Sequence, residues 1–136
     1  MLYAGTLTRF AQLLASLTIA NALMKESKDR LQLAKTLSKI EKPKYVVESA
    51  FEAIREQIDA ILYAKGFKSY SHEASVAYLA ELGFSATEIG KVDRLRKLRN
   101  GIKYYGEEVS QEDATGALVI AEELIRKIVK EEKRLS

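Results

Sequence analysis

Apolar residues recur at helical spacing along almost the whole chain, and strand-like alternation is missing. The cleanest stripe is Val47, Ala50, Phe51, Ile54, Ile58, Ile61 and Leu62. Its steps of three and four put every member on one face of a helix. Upstream, the spacing of Phe10, Leu13, Leu14, Leu17, Ala20, Met24, Leu31, Ala34 and Leu37 predicts helix from Thr6 to Ile40, with the polar run Lys25 to Arg30 as the place where it divides in two. Pro43 closes that region, because the residue before a proline avoids helical backbone.

Further along, the punctuation is equally helical. Gly66 suits a left-handed cap at the end of the second helix. Ser71, with Glu73 behind it, starts a short helix through Val76, Leu79 and Leu82 that ends at Gly83. Ser85 and Glu88 form a capping box for a fourth helix. Ser110, with Glu112 and Asp113, opens the last one, whose inner face is Ala114, Ala117, Leu118, Ala121, Leu124, Ile125 and Ile128. No repeat, linker or low-complexity tract interrupts the series. The expected fold is all-α: an up-and-down bundle of four to five main helices in one domain, 1–136, preceded by a helical extension over 1–24.

Composition narrows the chemistry. There is no cysteine, so disulfides, thiolate metal sites and cysteine nucleophiles are excluded. A single histidine, His72, rules out a multi-histidine metal site within one chain. No metal and no cofactor is expected. The stretch Leu13 to Leu23 is apolar-rich, but Ser16, Thr18 and Asn21 interrupt it and it reads as too short for a membrane span. It is expected to be a buried or partner-facing helix of a cytoplasmic protein that does not engage a membrane.

The net charge of +3 is mild, yet its distribution is uneven. Residues 45–90 carry three basic and seven acidic side chains, residues 91–103 six basic and one acidic, and residues 104–124 six acidic and none basic. Either solvated helix faces pair their opposite charges across neighbours, or Arg94, Arg96, Lys97, Arg99 and Lys103 form a strip that receives phosphates. On a helical wheel of about 100° per residue, Val92, Leu95, Leu98, Ile102 and Tyr105 share one arc, and Arg99 projects inside it. A guanidinium cannot shed its charge, so at the edge of a core it needs carboxylate, carbonyl or phosphate partners. Asn100-Gly101 follows immediately and is expected to bend the helix.

Three segments together resemble the HEPN family of small helical domains. They are the acidic amphipathic helix from Val46 to Glu56, the segment Ala64 to Ala74 containing Ser71-His72-Glu73, and Leu98-Arg99-Asn100-Gly101-Ile102-Lys103-Tyr104. The resemblance covers about Lys25 to Lys130 and implies an extension before it. Family members place an Arg, often followed by a polar residue, a few residues before a His. Here Arg99-Asn100 matches the first half and Tyr104 occupies the His position. The resemblance implies a homodimer with a nucleotide- or RNA-binding groove near Arg99, Asn100 and Tyr104. It also implies pairing with a small nucleotidyltransferase in a toxin–antitoxin-like system, where a motif tyrosine can itself accept a nucleotide. The alternative it implies is a metal-independent endoribonuclease toxin with Arg99 at a dimer-interface site.

The residues weigh on that choice. Metal-free RNA cleavage needs a base for the 2′-hydroxyl and an acid for the leaving oxygen, and histidine serves both. A phenol with a pKa of about 10 is a poor base. Arg99 and Tyr104 lie roughly 140° apart on an ideal helix, so they meet only if the helix unwinds at Gly101 or if two subunits each supply one. Arg96, Lys103, Tyr105 and His72 are further candidates for binding, although His72 in a first turn also suits a local structural role. Tyr104-Tyr105 either stack bases beside the basic strip or pack under the last helix. Glu48, Glu52 and Glu56, at i, i+4 and i+8, read as a solvated flank, with a salt bridge to Arg99 as the special role for one of them.

Overall fold

A computed structural model describes residues 2–66 and 72–135, with the side chains of 5–66, 75–131 and 133. The chain is an all-α bundle of five helices: α1 Leu2–Lys39, α2 Pro43–Ala64, α3 His72–Ala77, α4 Ala86–Tyr105 and α5 Gln111–Leu135, with a 3-10 turn at Tyr78–Ala80 following α3.

The first helix does not divide. Lys25 to Arg30 contains neither glycine nor proline, and its charged residues are good helix formers. Two of its members also face inward: Ser27 is fully buried, and Arg30 pairs with Glu56 of α2. Because α1 is continuous, its segment Gly5–Lys39 is long and apolar enough to cross a membrane by length and composition, which corrects the reading of the Leu13–Leu23 run as too short.

Helix α2 is the central element, packed by α1 on one side and by α4 and α5 on the others. Small residues let α1 approach it closely. Ala20, Ser27 and Ala34, seven apart, are all buried, and Ser27 Oγ donates to the Ala53 carbonyl at 2.6 Å. Behind this seam Phe51, Ile54, Ile58 and Ile61 form the core with Leu79, Leu82 and Val92. From α5, Ala114, Ala117, Ala121, Leu124 and Ile128 are buried against it, with Leu118 and Ile125 half-buried beside them.

The breaks between helices follow local chemistry. Pro43 stands in the first turn of α2, where its missing N–H costs nothing. Gly66 and Gly83 both take φ of +84°. Ser85 Oγ accepts from Glu88 N–H while the Glu88 carboxylate accepts from Ser85 N–H, the reciprocal box expected from sequence. The third helix is shorter than its apolar spacing suggests, because the chain tightens into the 3-10 turn after Ala77.

Candidate functional site

A polar row runs along α2 beside the apolar stripe, and it is not solvated. Glu52, Glu56 and Asp59 are all buried, whereas Glu48 is half-buried. Neighbouring helices bring cations to this row from two sides. Arg30 arrives from α1 at Glu56, and Arg99 arrives from α4, its Nη2 donating to Glu52 Oε1 at 3.0 Å. The expectation of an exposed acidic flank is therefore corrected, while the salt bridge reserved for one of those carboxylates is present at Glu52.

Glu52 serves two guanidinium groups at once. Its other oxygen, Oε2, accepts from Arg55 Nε at 3.0 Å and Nη2 at 2.8 Å. Arg55 Nη1 reaches on to Asp59 Oδ2 at 2.7 Å, and Asp59 Oδ1 accepts from Ser75 Oγ at 2.7 Å. Burial works against the Arg55 charge, yet Glu52 and then Asp59 more than offset it and hold the guanidinium above its ordinary pKa. Burial pushes the Glu56 carboxyl up, against the pull of Arg30.

Arg99 is 4% exposed and sits with its guanidinium carbon 6.0 Å from the centre of the Phe51 ring. Its Nη1 donates to Asn100 Oδ1 at 3.2 Å, and its buried Nε has no partner among the described residues. The wheel placed this arginine inside the apolar arc, and the bundle keeps it there. Its partner is a carboxylate of its own subunit.

Helical backbone runs unbroken through Asn100-Gly101. It continues to Tyr105 and ends at Gly106, whose φ of +65° supplies the left-handed cap. Gly101 faces the end of the Glu107 side chain: a Cβ there would lie 2.7 Å from the Glu107 carboxyl carbon, and Glu107 N–H caps the Gly101 carbonyl at 3.1 Å. Arg99 and Tyr104 accordingly point apart. Tyr104 and Tyr105 are 64% and 80% exposed, so neither packs under α5. Lys103 lies beside them, its Nζ 5.8 Å from the Tyr104 ring centre.

The basic strip is divided by its neighbours. Arg96 and Lys97 both bind Asp93, at 2.9 and 3.2 Å, and Arg99 is buried, which leaves Arg94 and Lys103 as exposed cations outside these pairs. Arg94 and Lys91 line a groove of about 280 Å³ between α4 and α5, opposite Glu112 and Asp113. Cross-helix pairing does occur, at Lys127 with Glu88 and Lys35 with Glu122, and Lys44 of α2 pairs with Glu108 in the connection between α4 and α5. His72 begins α3, but its side chain lies outside the described residues, as do Ser71 and Phe67 to Ser69. Among the described residues, no three His, Cys, Asp or Glu side chains gather where they could hold a metal.

Sequence reasoning missed Arg30, Arg55, Asp59 and Ser75 as members of this network. The signal available was the i, i+3 and i+4 spacing of Glu52, Arg55 and Asp59 on a helix otherwise buried.

Comparison with known proteins agrees with this architecture. The family model described as HEPN domain matches residues 20–132. No curated protein matches the chain. Among solved structures, the crystal structure of TT1696 from Thermus thermophilus superposes with a TM-score of 0.72, covering 82% of this chain and 97% of that one at 14% identity, a likeness of fold.

Proposed function

Because the chain belongs to the HEPN family, we propose that it is a nucleotide- or RNA-binding helical module that acts as a cytoplasmic homodimer with a small nucleotidyltransferase, in a toxin–antitoxin-like pair. The observation that carries this reading is the end of α4. There Tyr104 and Tyr105 are exposed to solvent beside Lys103, about one and a half turns beyond a buried arginine. Exposed phenols next to a cation offer stacking faces for bases and a contact for phosphate. They also offer a hydroxyl acceptor: the phenol oxygen attacks the α-phosphorus of a nucleoside triphosphate, pyrophosphate leaves, and the phenolic proton passes to solvent.

In this reading Lys103 and Tyr105 contact the ligand, and Asn100 with Glu52 holds Arg99 under the site. The nuclease alternative is the weaker of the two. Arg99 is engaged by Glu52 and Tyr104 points away from it, so no acid–base pair converges on one phosphate among the described residues of the subunit.

The test titrates purified protein with ATP and with labelled structured and single-stranded RNA in chelator. Binding without cleavage, weakened several-fold by Lys103→Ala and by Tyr105→Ala, is the expected result. Arg99-dependent cleavage would instead establish the metal-independent endoribonuclease. No binding, together with no nucleotidyl group on tyrosine when the protein is recovered from cells holding its genomic neighbours, would remove both.

A further inference from the structure

The start of α2 meets the connection between α4 and α5 at one end of the bundle. Lys44 Nζ donates to Glu108 Oε1 at 3.0 Å across this junction. Beside the pair lies an open cavity of about 220 Å³, lined by Lys42, Pro43, Lys44, Tyr45, Glu108 and Val109. Val109 is buried, whereas Tyr45 is 59% exposed. Lys42 is exposed as well, and it has no ion pair among the described residues. None of these residues belongs to the Lys103–Tyr105 segment, yet the two places adjoin. Tyr105 and Glu108 are three residues apart, which limits their Cα separation to about 11 Å.

We propose that this cavity is a second base-binding site, and that the ligand joining it to Tyr105 is a single-stranded RNA and not a lone nucleotide. The inference rests on the nucleotide- or RNA-binding reading and adds to it the class of ligand.

The chemistry of the lining selects that guest. The Tyr45 ring gives a face on which a base stacks, and every base has such a face to offer. Lys42 supplies a cation for the flanking phosphate. Glu108 discriminates between bases. Lys44 holds one of its oxygens and balances its charge, and the other oxygen is left to accept from an exocyclic amine. Adenine, cytosine and guanine carry such an amine and uracil does not. Apart from Val109 and the proline ring, every lining side chain is charged or phenolic, so a planar polar guest fits here better than the apolar face of a partner helix.

The arrangement also asks for a strand. Lys42 with Tyr45 and Lys103 with Tyr105 are two groupings of a cation and an exposed phenol ring at the same end of the bundle. One nucleotide cannot occupy both, whereas a few linked nucleotides span the gap between them.

Fluorescence anisotropy of the full chain with labelled AMP, oligoadenylate and oligouridylate in chelator tests the site. Wild type is expected to bind oligoadenylate more tightly than AMP, and Tyr45→Ala to lose about five-fold or more of that advantage while Tyr45→Phe keeps it. Lys42→Ala is expected to lower the salt dependence of oligonucleotide binding by about one phosphate contact. Glu108→Ala is expected to remove the preference for oligoadenylate over oligouridylate. Oligoadenylate affinity untouched by Tyr45→Ala, or equal affinity of wild type for AMP and oligoadenylate, would overturn the second site. Either result leaves the Lys103–Tyr105 reading standing, because Lys103→Ala reports on that place separately. A wild-type chain that binds neither nucleotide nor RNA would remove both.

Discussion

Arg99 Nη2 on α4 meets Glu52 Oε1 on α2 at 3.0 Å, in a setting where both side chains are removed from water. The two residues are not equivalent in this pair. Glu52 has a second cation in Arg55, whereas Arg99 is met otherwise by the Asn100 amide oxygen and the Phe51 ring.

That asymmetry sets the expected ranking of two variants. Glu52→Ala strands a buried guanidinium and is expected to cost about 3–5 kcal/mol. Arg99→Met keeps the apolar stem and leaves Glu52 paired with Arg55, for a cost on the order of 1–2 kcal/mol. Urea denaturation of both proteins checks this, and equal losses would contradict it.

Two glycines five residues apart are expected to respond with opposite signs. Gly106→Ala forces a Cβ into left-handed backbone and should cost about 1 kcal/mol. Gly101→Ala meets only the tip of the exposed Glu107 side chain, which can swing into solvent. The gain in helix propensity, up to about 1 kcal/mol, should then leave that variant as stable as wild type or slightly more so. Thermal melting of the two single variants decides the point.

Glu88 links the start of α4 to α5. Lys127 Nζ lies 2.7 and 2.8 Å from its two carboxylate oxygens, and Ser85 N–H donates to it as well. Lys127 first and Ser85 second hold its carboxyl below the usual range. A depressed folded-state pKa means stability that is present above the ordinary glutamate value of about 4.3 and lost as pH falls through the folded one. The deficit of Glu88→Gln relative to wild type should therefore be full at neutral pH and shrink on acidification. Asp93, held down chiefly by Arg96 and further by Lys97, should behave alike in Asp93→Asn.

Glu56 should show the reverse slope. Its folded-state pKa is raised by burial, so the folded chain binds the proton more readily than the unfolded chain does. The contribution of this residue to stability grows as pH falls from the raised value toward about 4.3, and it is constant above the raised value. Wild type should gain on Glu56→Gln over that window while it loses ground to its own neutral-pH advantage over Glu88→Gln. Denaturation series at several pH values report both slopes.

The helices themselves are local properties, and the chain declares them. The Val47–Leu62 stripe, Pro43, the Ser85–Glu88 box and the alanine-rich face of α5 each act within one or two turns, so periodicity and capping suffice to place them. Arg99 on an apolar arc is also local, because the angle of a side chain around its own helix needs no partner. What surrounds that side chain does need one. Glu52 and Glu56 flank a stripe just as a solvated face would, and only the arrival of α4 and α1 on either side, carrying Arg99 and Arg30, closes them from water. Likewise Lys25 to Arg30 is polar by composition, but Ser27 and Arg30 within it are claimed by α2. The outward turn of Tyr104 and Tyr105 follows from where α4 stops relative to α5, a distance in space that no run of neighbours encodes. Which residues form helices was thus decided by hydrogen bonding and spacing along the chain; which charges are buried was decided by the helices that later cover them.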